Sequence, residues 1–318
     1  MSVCVGIDVS KQTLDVAMYP ATQSLCVPNT ATGHQQLHEW LQQYDEITRI
    51  GLEASGRYGE DVTDFLVDKG YAVSYLNPRQ IHAFSRVQLH YHKTDAQDAQ
   101  LIAQYCALFK PDLYQPSKTL KKRLQQRSRR LDQLKKMRQQ EVNRSKSGIH
   151  DDFTCQQIEG VIAYFDTLIQ QTLDAIHDLI AGDDHLTQQR RLLLSIPGIG
   201  PATAPLILAE IDIDHFKTAP QLAAYIGITP QHFQSGTSVN KRATISKQGN
   251  ARLRAGLYLP AVVSQRYNPP CRRFTERLKA KRKQGKVIVI AVMRKLVHQV
   301  FGVLKSGQPF DPDFEKIA

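Results

Sequence analysis

The chain has 318 residues, 42% of them hydrophobic, and carries a formal net charge of +11. That length allows two domains with cores of their own. The longest uncharged apolar run, Val287 to Met293, is too short to cross a bilayer, and the first residues lack the basic stretch and cleavage site of a secretion signal. Five scattered cysteines with no CxxC pair exclude a zinc or disulfide framework, so the expectation is a cytoplasmic protein with reduced thiols and no membrane attachment.

In chain order, Val3–Asp8 reads as an apolar strand, followed by short strands over Thr13–Tyr19 and Leu25–Pro28 after turn signals at Ser10-Lys11 and Pro20. Leu37, Trp40 and Leu41 predict an amphipathic helix over 33–44. Ile47–Glu53 is a strand, Val62, Phe65 and Leu66 mark a helix, and Tyr71–Leu76 is a strand ended by Asn77-Pro78. A helix then carries Asp95, Asp98, Ile102 and Tyr105. Three strands, then helix, strand, helix, strand, helix is the order of an RNase H-like α/β fold, in which the first strand lies beside the fourth.

Beyond residue 112 the pattern turns helical. Leu120, Leu124, Leu131, Leu134 and Met137 recur at helical spacing, as do Val161, Phe165, Leu168, Leu173, Ile176 and Leu179. These predict a helical hairpin or coiled coil over 113–187, with two ordinary helices packed on the next domain as the alternative. From 188 onward a mainly helical domain is expected. Leu192 to Ala204, with Pro197-Gly198-Ile199-Gly200, looks like a helix-hairpin-helix whose Gly-x-Gly turn lets backbone amides approach a phosphate. Ala219–Ala224, 251–263 and 287–304 read as helices, and Gln234 to Ser238 as a small polar loop.

Charge is segregated along the chain. Residues 1–117 carry net −5, 118–148 net +10, 149–240 net −8 and 241–306 net +16. Self-repulsion of that size in 66 residues destabilises a compact fold unless a polyanion covers it, which points to nucleic acid.

Four carboxylates fall where a metal site needs them. Asp8 and Glu53 end apolar strands, and Asp95 and Asp98 are spaced i, i+3 on one helix face. Oxygen ligands suit Mg²⁺ or Mn²⁺, and two such ions can clamp the attacking and leaving oxygens of a phosphoryl transfer. Lys11 and Arg57 flank these carboxylates as phosphate contacts or charge balance. Lys241, Arg242, Lys247, Arg252 and Arg254 are candidate DNA grips. Tyr58 and Tyr258 are candidates for base stacking, although core packing is the commoner role of a tyrosine. The eleven histidines show no ligand spacing.

The ordered motifs Gly6-Ile7-Asp8-Val9-Ser10-Lys11, Glu53-Ala54-Ser55-Gly56-Arg57-Tyr58 and Lys93-Thr94-Asp95-Ala96-Gln97-Asp98-Ala99 carry a resemblance. It continues through Ser195 to Gly200, Gly227-Ile228-Thr229-Pro230, Ser235-Gly236-Thr237-Ser238, Ser246 to Gly249, Leu253 to Pro260 and Gly302 to Gly307. The chain resembles the DEDD transposases of bacterial insertion sequences, the IS-one-ten family, over nearly its whole length. The resemblance implies a RuvC-like domain over 1–112 whose four acids match Asp8, Glu53, Asp95 and Asp98. It implies a helical linker over 113–187 used in dimerisation, and a transposase domain over 188–318 with a nucleophilic serine matched by Ser235. On the residues alone, Ser238, Thr237 and Ser246 rival that position. The resemblance further implies donor and target DNA, a noncoding guide (bridge) RNA, a dimer or tetramer, and work on the bacterial nucleoid.

Three other readings compete. A hydrolytic nuclease of the junction-resolvase type would use water at the same carboxylates. An actin-like ATPase also opens with Gly-Ile-Asp-Val-Ser, but the later phosphate-binding glycine loops are missing. A non-enzymatic nucleic-acid binder would explain the charge and leave the carboxylates without a role.

Overall fold

The computed structural model describes residues 3–44, 46–53, 58–88, 94–114, 119–148, 151–235 and 239–313, with the backbone alone over 232–235 and 239–243. The chain divides into two compact units, 1–117 and 118–318.

Unit 1 is built on a five-stranded sheet. Its strands are β1 (Val3–Val9), β2 (Thr13–Tyr19), β3 (Ser24–Pro28), β4 (Ile47–Glu53) and β5 (Val73–Leu76), in the order β3-β2-β1-β4-β5. β1, β4 and β5 run parallel, while β2 is antiparallel to β1 and to β3. Up to β5 this is the expected element order, and β1 lies beside β4 as expected; two helices follow β5 where one was expected. Four helices cover the sheet: α1 (Ala31–Leu41), α2 (Glu60–Asp68), α3 (Pro78–Val87) and α4 (Asp95–Phe109).

Strand alternation sorts the core into two layers. Val5, Ile7, Leu14, Val16, Met18, Ile50 and Leu52 point to one face, where Leu37, Leu41, Val62 and Leu66 of α1 and α2 meet them. Cys4 and Leu76 point to the other, beneath Ile81 and Phe84 of α3 and Ile102, Tyr105 and Cys106 of α4. On that second face the sheet presents glycine at the centre, Gly6 paired with Gly51. A Cβ on Gly6 would run into the Ala99 carbonyl and the Ala103 nitrogen, and one on Gly51 into the Cys106 sulfur. Two glycines side by side therefore let the backbone of α4 lie directly on the strands.

Unit 2 is mainly helical. α5 (Thr119–Ser145) and α6 (Asp152–Ala181) form the expected long hairpin, but they do not stand apart as a third unit. Leu124, Leu131, Ile176 and Ile180 belong to the same buried cluster as the C-terminal helices. The apolar stripe of the hairpin's base is thus covered by its own chain.

α7 (Asp184–Leu194) and α8 (Ala204–Glu210) follow, joined by the Gly-x-Gly turn. Gly198 adopts a left-handed φ of +109°, and a Cβ there would strike the Ser264 hydroxyl. Packing therefore accounts for this glycine, and the Pro197 carbonyl beside it accepts hydrogen bonds from Ser264 and Asn268. α9 (Ala219–Ile226) starts with a Thr218/Gln221 capping box and ends on Gly227 in the left-handed region.

Next come two antiparallel strands, β6 (Pro230–Ser235) and β7 (Val239–Ile245); of the polar loop expected over Gln234 to Ser238, Gln234 and Ser235 lie in β6 and 236–238 fall outside the described residues. The chain ends in α10 (Ala251–Gly256), α11 (Tyr258–Tyr267), α12 (Pro269–Ala280) and α13 (Gly285–Ser306). By length and composition α13 is apolar enough to cross a membrane, because a helix tolerates Arg294 and Lys295 within an otherwise apolar span. Its Ile288, Val292, Met293, Leu296 and Val300 are instead the centre of unit 2's core.

Candidate active site

Two parallel neighbours finish at the same edge of a sheet, so Asp8 at the end of β1 and Glu53 at the end of β4 share one rim. Asp95 and Asp98 occupy the first turn of α4, which Thr94 caps by accepting the Gln97 amide at 3.3 Å. Acidic side chains are favoured at a helix N-terminus by the backbone dipole. The seating of α4 on Gly6 and Gly51 carries that first turn to the rim. Three segments distant in sequence therefore deliver Asp8, Glu53, Asp95 and Asp98 to one rim.

The electrostatics report the same convergence. Burial, together with the charges of Asp98, Asp95, Glu53 and Asp15, raises the Asp8 carboxyl from 3.8 to about 6. Asp15 is the addition that sequence reading missed. It pairs directly with Asp8 across the β1–β2 ladder, so the two side chains share the face turned to α4. The Cys26 thiol on β3, paired with Asp15, donates a hydrogen bond to it. Among the described residues, no three His, Cys, Asp or Glu side chains form a ready-made metal cage. The donors gathered at the rim are oxygens of like charge, which suits a hard divalent cation and repels in its absence.

Comparison with known proteins shows the family. A family model of DEDD transposases of the IS110 type, described as "Transposase", matches residues 5–153. A second, described as "Transposase IS116/IS110/IS902 family", matches 190–276. The "Pilin gene-inverting protein" of Moraxella bovis is 34% identical over 96% of this chain and 97% of its own length. The chain belongs to the IS110 family of transposases. It is by that membership an enzyme that cuts and rejoins DNA. The "Transposase for insertion sequence element IS1111A" of Coxiella burnetii is 44% identical over 19% of this chain and 16% of that protein. Among solved structures, "T. thermophilus RuvC in complex with Holliday junction substrate" aligns with 35% of this chain and 95% of that chain, at 16% identity and a TM-score of 0.28, too loose a likeness to argue from.

The remaining expected site residues of this transposase-family chain divide into three groups. Ser235 is the last residue of β6, paired with Val239, but its side chain lies outside the described residues. So do Arg57, Thr237 and Ser238, and the side chains of Lys241 and Arg242. Lys11 and Lys247 are exposed, and Tyr58 and Tyr258 are 51% and 40% exposed, so neither ring is a core residue.

Arg252 and Arg254 are engaged by the chain's own groups. Arg252 bonds Asp132 at 2.5 Å, Glu210 at 2.5 Å and Ser128 at 2.7 Å, tying α10 to α5 and α8. Arg254 donates to the Ile226 carbonyl at 2.8 Å. Their place in a basic run suggested DNA contacts, but their partners are acids and carbonyls hundreds of atoms away along the chain. Glu210, only 6% exposed, also accepts from Asn250 at 2.7 Å.

Proposed function

We propose that this chain cuts and rejoins DNA through a covalent serine–DNA intermediate, with divalent cations held by Asp8, Glu53, Asp95 and Asp98. The observation that carries the reading is the placement of all four carboxylates at one rim, by parallel β1 and β4 and by α4 resting on Gly6 and Gly51. Mg²⁺ or Mn²⁺ bound there would supply charge stabilisation for a phosphoryl transfer. The Ser235 oxygen attacks a DNA phosphate and its proton passes to a carboxylate oxygen. The P–O3′ bond breaks and the departing O3′ takes up that proton, leaving a free 3′ hydroxyl and a 5′ phosphate esterified to the serine. A second 3′ hydroxyl then attacks that ester, restoring the serine and joining the strands without ATP. Water attack at the same rim, as in a junction-resolving nuclease, is the outcome that would displace this reading.

Further parts of the reading rest on the resemblance of the motifs. A noncoding bridge RNA pairs with donor and target DNA and supplies sequence choice. The basic stretches 118–148 and 241–306 offer the cations to hold these polyanions. Two or four copies assemble on the nucleoid, with Ser235 of one copy working at the carboxylates of another. The Moraxella bovis relative is named for inverting a pilin gene. The same cut-and-rejoin chemistry at two sites of one DNA molecule yields inversion.

The test is denaturing electrophoresis of labelled DNA incubated with the protein, guide RNA and Mg²⁺. A protein–DNA adduct should form with the wild type and with Ser238→Ala, and disappear with Ser235→Ala while folding is unchanged. Cleavage that survives in Ser235→Ala with protein-free ends would sink the covalent mechanism. Mixing Ser235→Ala with Asp8→Asn copies should restore some cleavage if the site is shared between protomers.

A further inference from the structure

Beside the carboxylate rim lies a pocket of about 650 Å³ lined by Lys11, Asn29, Thr30, Ala31, His34, Tyr58 and Asp61. That volume lies within the roughly 300–1,000 Å³ of small-molecule sites. Its walls come from the segments that follow β1, β3 and β4. Lys11 sits three residues after Asp8 and Tyr58 five residues after Glu53. Because β1 and β4 are parallel neighbours, both residues leave the sheet at the rim where those carboxylates stand.

The pocket is built around one amide. Asn29 Nδ2 donates to the Ser10 carbonyl at 3.0 Å and to the Tyr58 carbonyl at 2.9 Å. Its Oδ1 lies 2.9 Å from His34 Nε2. One side chain thus clasps the loop after β1, the loop after β4 and the start of α1. His34 is buried against Phe65, and burial lowers its pKa. The wall is therefore preorganised. It presents an exposed ammonium, a half-exposed phenol ring and a carboxylate, three groups the cutting chemistry does not use.

We propose that this pocket holds one unstacked deoxynucleotide of the strand being cut, next to the phosphate at the rim. Lys11 takes its phosphate, the Tyr58 ring stacks on its base, and Asp61 accepts a hydrogen bond from an exocyclic amino group. A stacked base on an aromatic ring contributes to single-strand binding regardless of sequence. The carboxylate adds a preference for bases bearing an amino group over thymine, which has none. The proposal rests on the DNA-cutting reading for its biological role, but the pocket can be examined without metal, RNA or cleavage.

The probe is 2-aminopurine deoxyriboside 5′-monophosphate, whose fluorescence is quenched on stacking. With the full-length protein, quenching should saturate. Tyr58→Ala should abolish it and Tyr58→Phe retain it. Lys11→Ala should weaken the monophosphate at least about tenfold, roughly the effect of losing one charge-assisted contact, while leaving the nucleoside that lacks the phosphate unchanged. dCMP should compete better than dTMP, and Asp61→Asn should narrow that difference. Asp8→Asn should quench like the wild type, so a protein that cuts no DNA still reports on the pocket. No saturable quenching up to about 10 mM, past the range of weak millimolar binding, would overturn the proposal. So would quenching unchanged in Tyr58→Ala, or a Lys11→Ala loss equal for nucleotide and nucleoside. A pattern that holds while the wild type yields no cut DNA would leave the pocket standing and remove the cutting role instead.

Discussion

Each unit gathers charge where water is scarce, and the two gatherings differ in balance. In unit 2, Glu210 is met by Arg252 and Asn250, with the Arg129 guanidinium 3.7 Å away, and Arg252 is shared with Asp132. Opposite charges neutralise one another, and the cluster joins α5, α8 and α10. In unit 1, Asp8 is surrounded by Asp98, Asp95, Glu53 and Asp15, all of one sign. A cluster that is complete within the chain needs no visitor. A cluster of one sign is complete only when a cation arrives, which is why perturbed carboxylates mark functional sites.

Four changes probe that contrast, beginning with the largest. Arg252→Met leaves Glu210 buried without its main cation and should lower the stability of unit 2 by about 3–5 kcal/mol, read by urea denaturation. A change near zero would mean the cluster is not structural. Gly6→Ala adds no charge to unit 1, but it pushes on α4 and should cost about 1–3 kcal/mol, as overpacking does. It should also reduce DNA cleavage although every carboxylate is intact, since Asp95 and Asp98 move with the helix. Unaltered cleavage would detach the glycines from the site.

The third change removes the imbalance itself. The folded Asp8 carboxyl titrates near 6, above its ordinary 3.8. Its contribution to stability is therefore fully present below about pH 4 and is lost as the pH rises through 6. Metal-free Asp8→Asn should be more stable than metal-free wild type above pH 6, by about 1–2 kcal/mol once the solvent reaching this group is allowed for. The gap should close toward pH 4 and on adding Mg²⁺, as thermal melts of the two proteins would read. A gap independent of pH would argue against like-charge crowding. The smallest effect belongs to Lys247→Gln on the exposed surface. Stability should move by no more than about 0.5 kcal/mol, while the slope of log affinity for duplex DNA against log salt should fall by about 0.9. An unchanged slope would take Lys247 off the phosphate backbone.

What could be read from the sequence follows from how each signal is encoded. Strands β1, β2 and β4 declare themselves because half their residues are apolar and alternate or run together. Asp8, Glu53, Asp95 and Asp98 stand out because each interrupts or begins such a pattern. Asp15 does not, since an acid within Thr-Leu-Asp-Val-Ala resembles the solvated face of a strand, and only the β1–β2 register brings it to Asp8. Helix α3 was hidden behind Asn77-Pro78, read as a strand's end. Asn77 caps its Arg79 amide and proline suits a first helical turn, so the signal was present and misassigned. The β6–β7 pair has little apolar alternation, and α12 opens with two prolines and is dense in charge. In the same basic stretch, Arg252 and Lys247 look alike as letters. Their difference lies in partners from α5 and α8, which composition does not record.

The long hairpin of unit 2 has a mechanical consequence. Its base is fixed, with Leu124, Ile176 and Ile180 set in the core, while Met137, Phe153 and Tyr164 farther along are exposed. Beyond Asp132, which Arg252 holds, α5 runs on to Ser145 and projects about 20 Å at roughly 1.5 Å per residue. A rigid arm of that length, anchored at one end, converts a small repacking around its fulcrum into a large sweep. A tilt of about 10° carries the far end some 3–4 Å, close to the roughly 3.4 Å rise of one base pair. Side chains beside Leu124 thus set the reach of residues that lie several turns away.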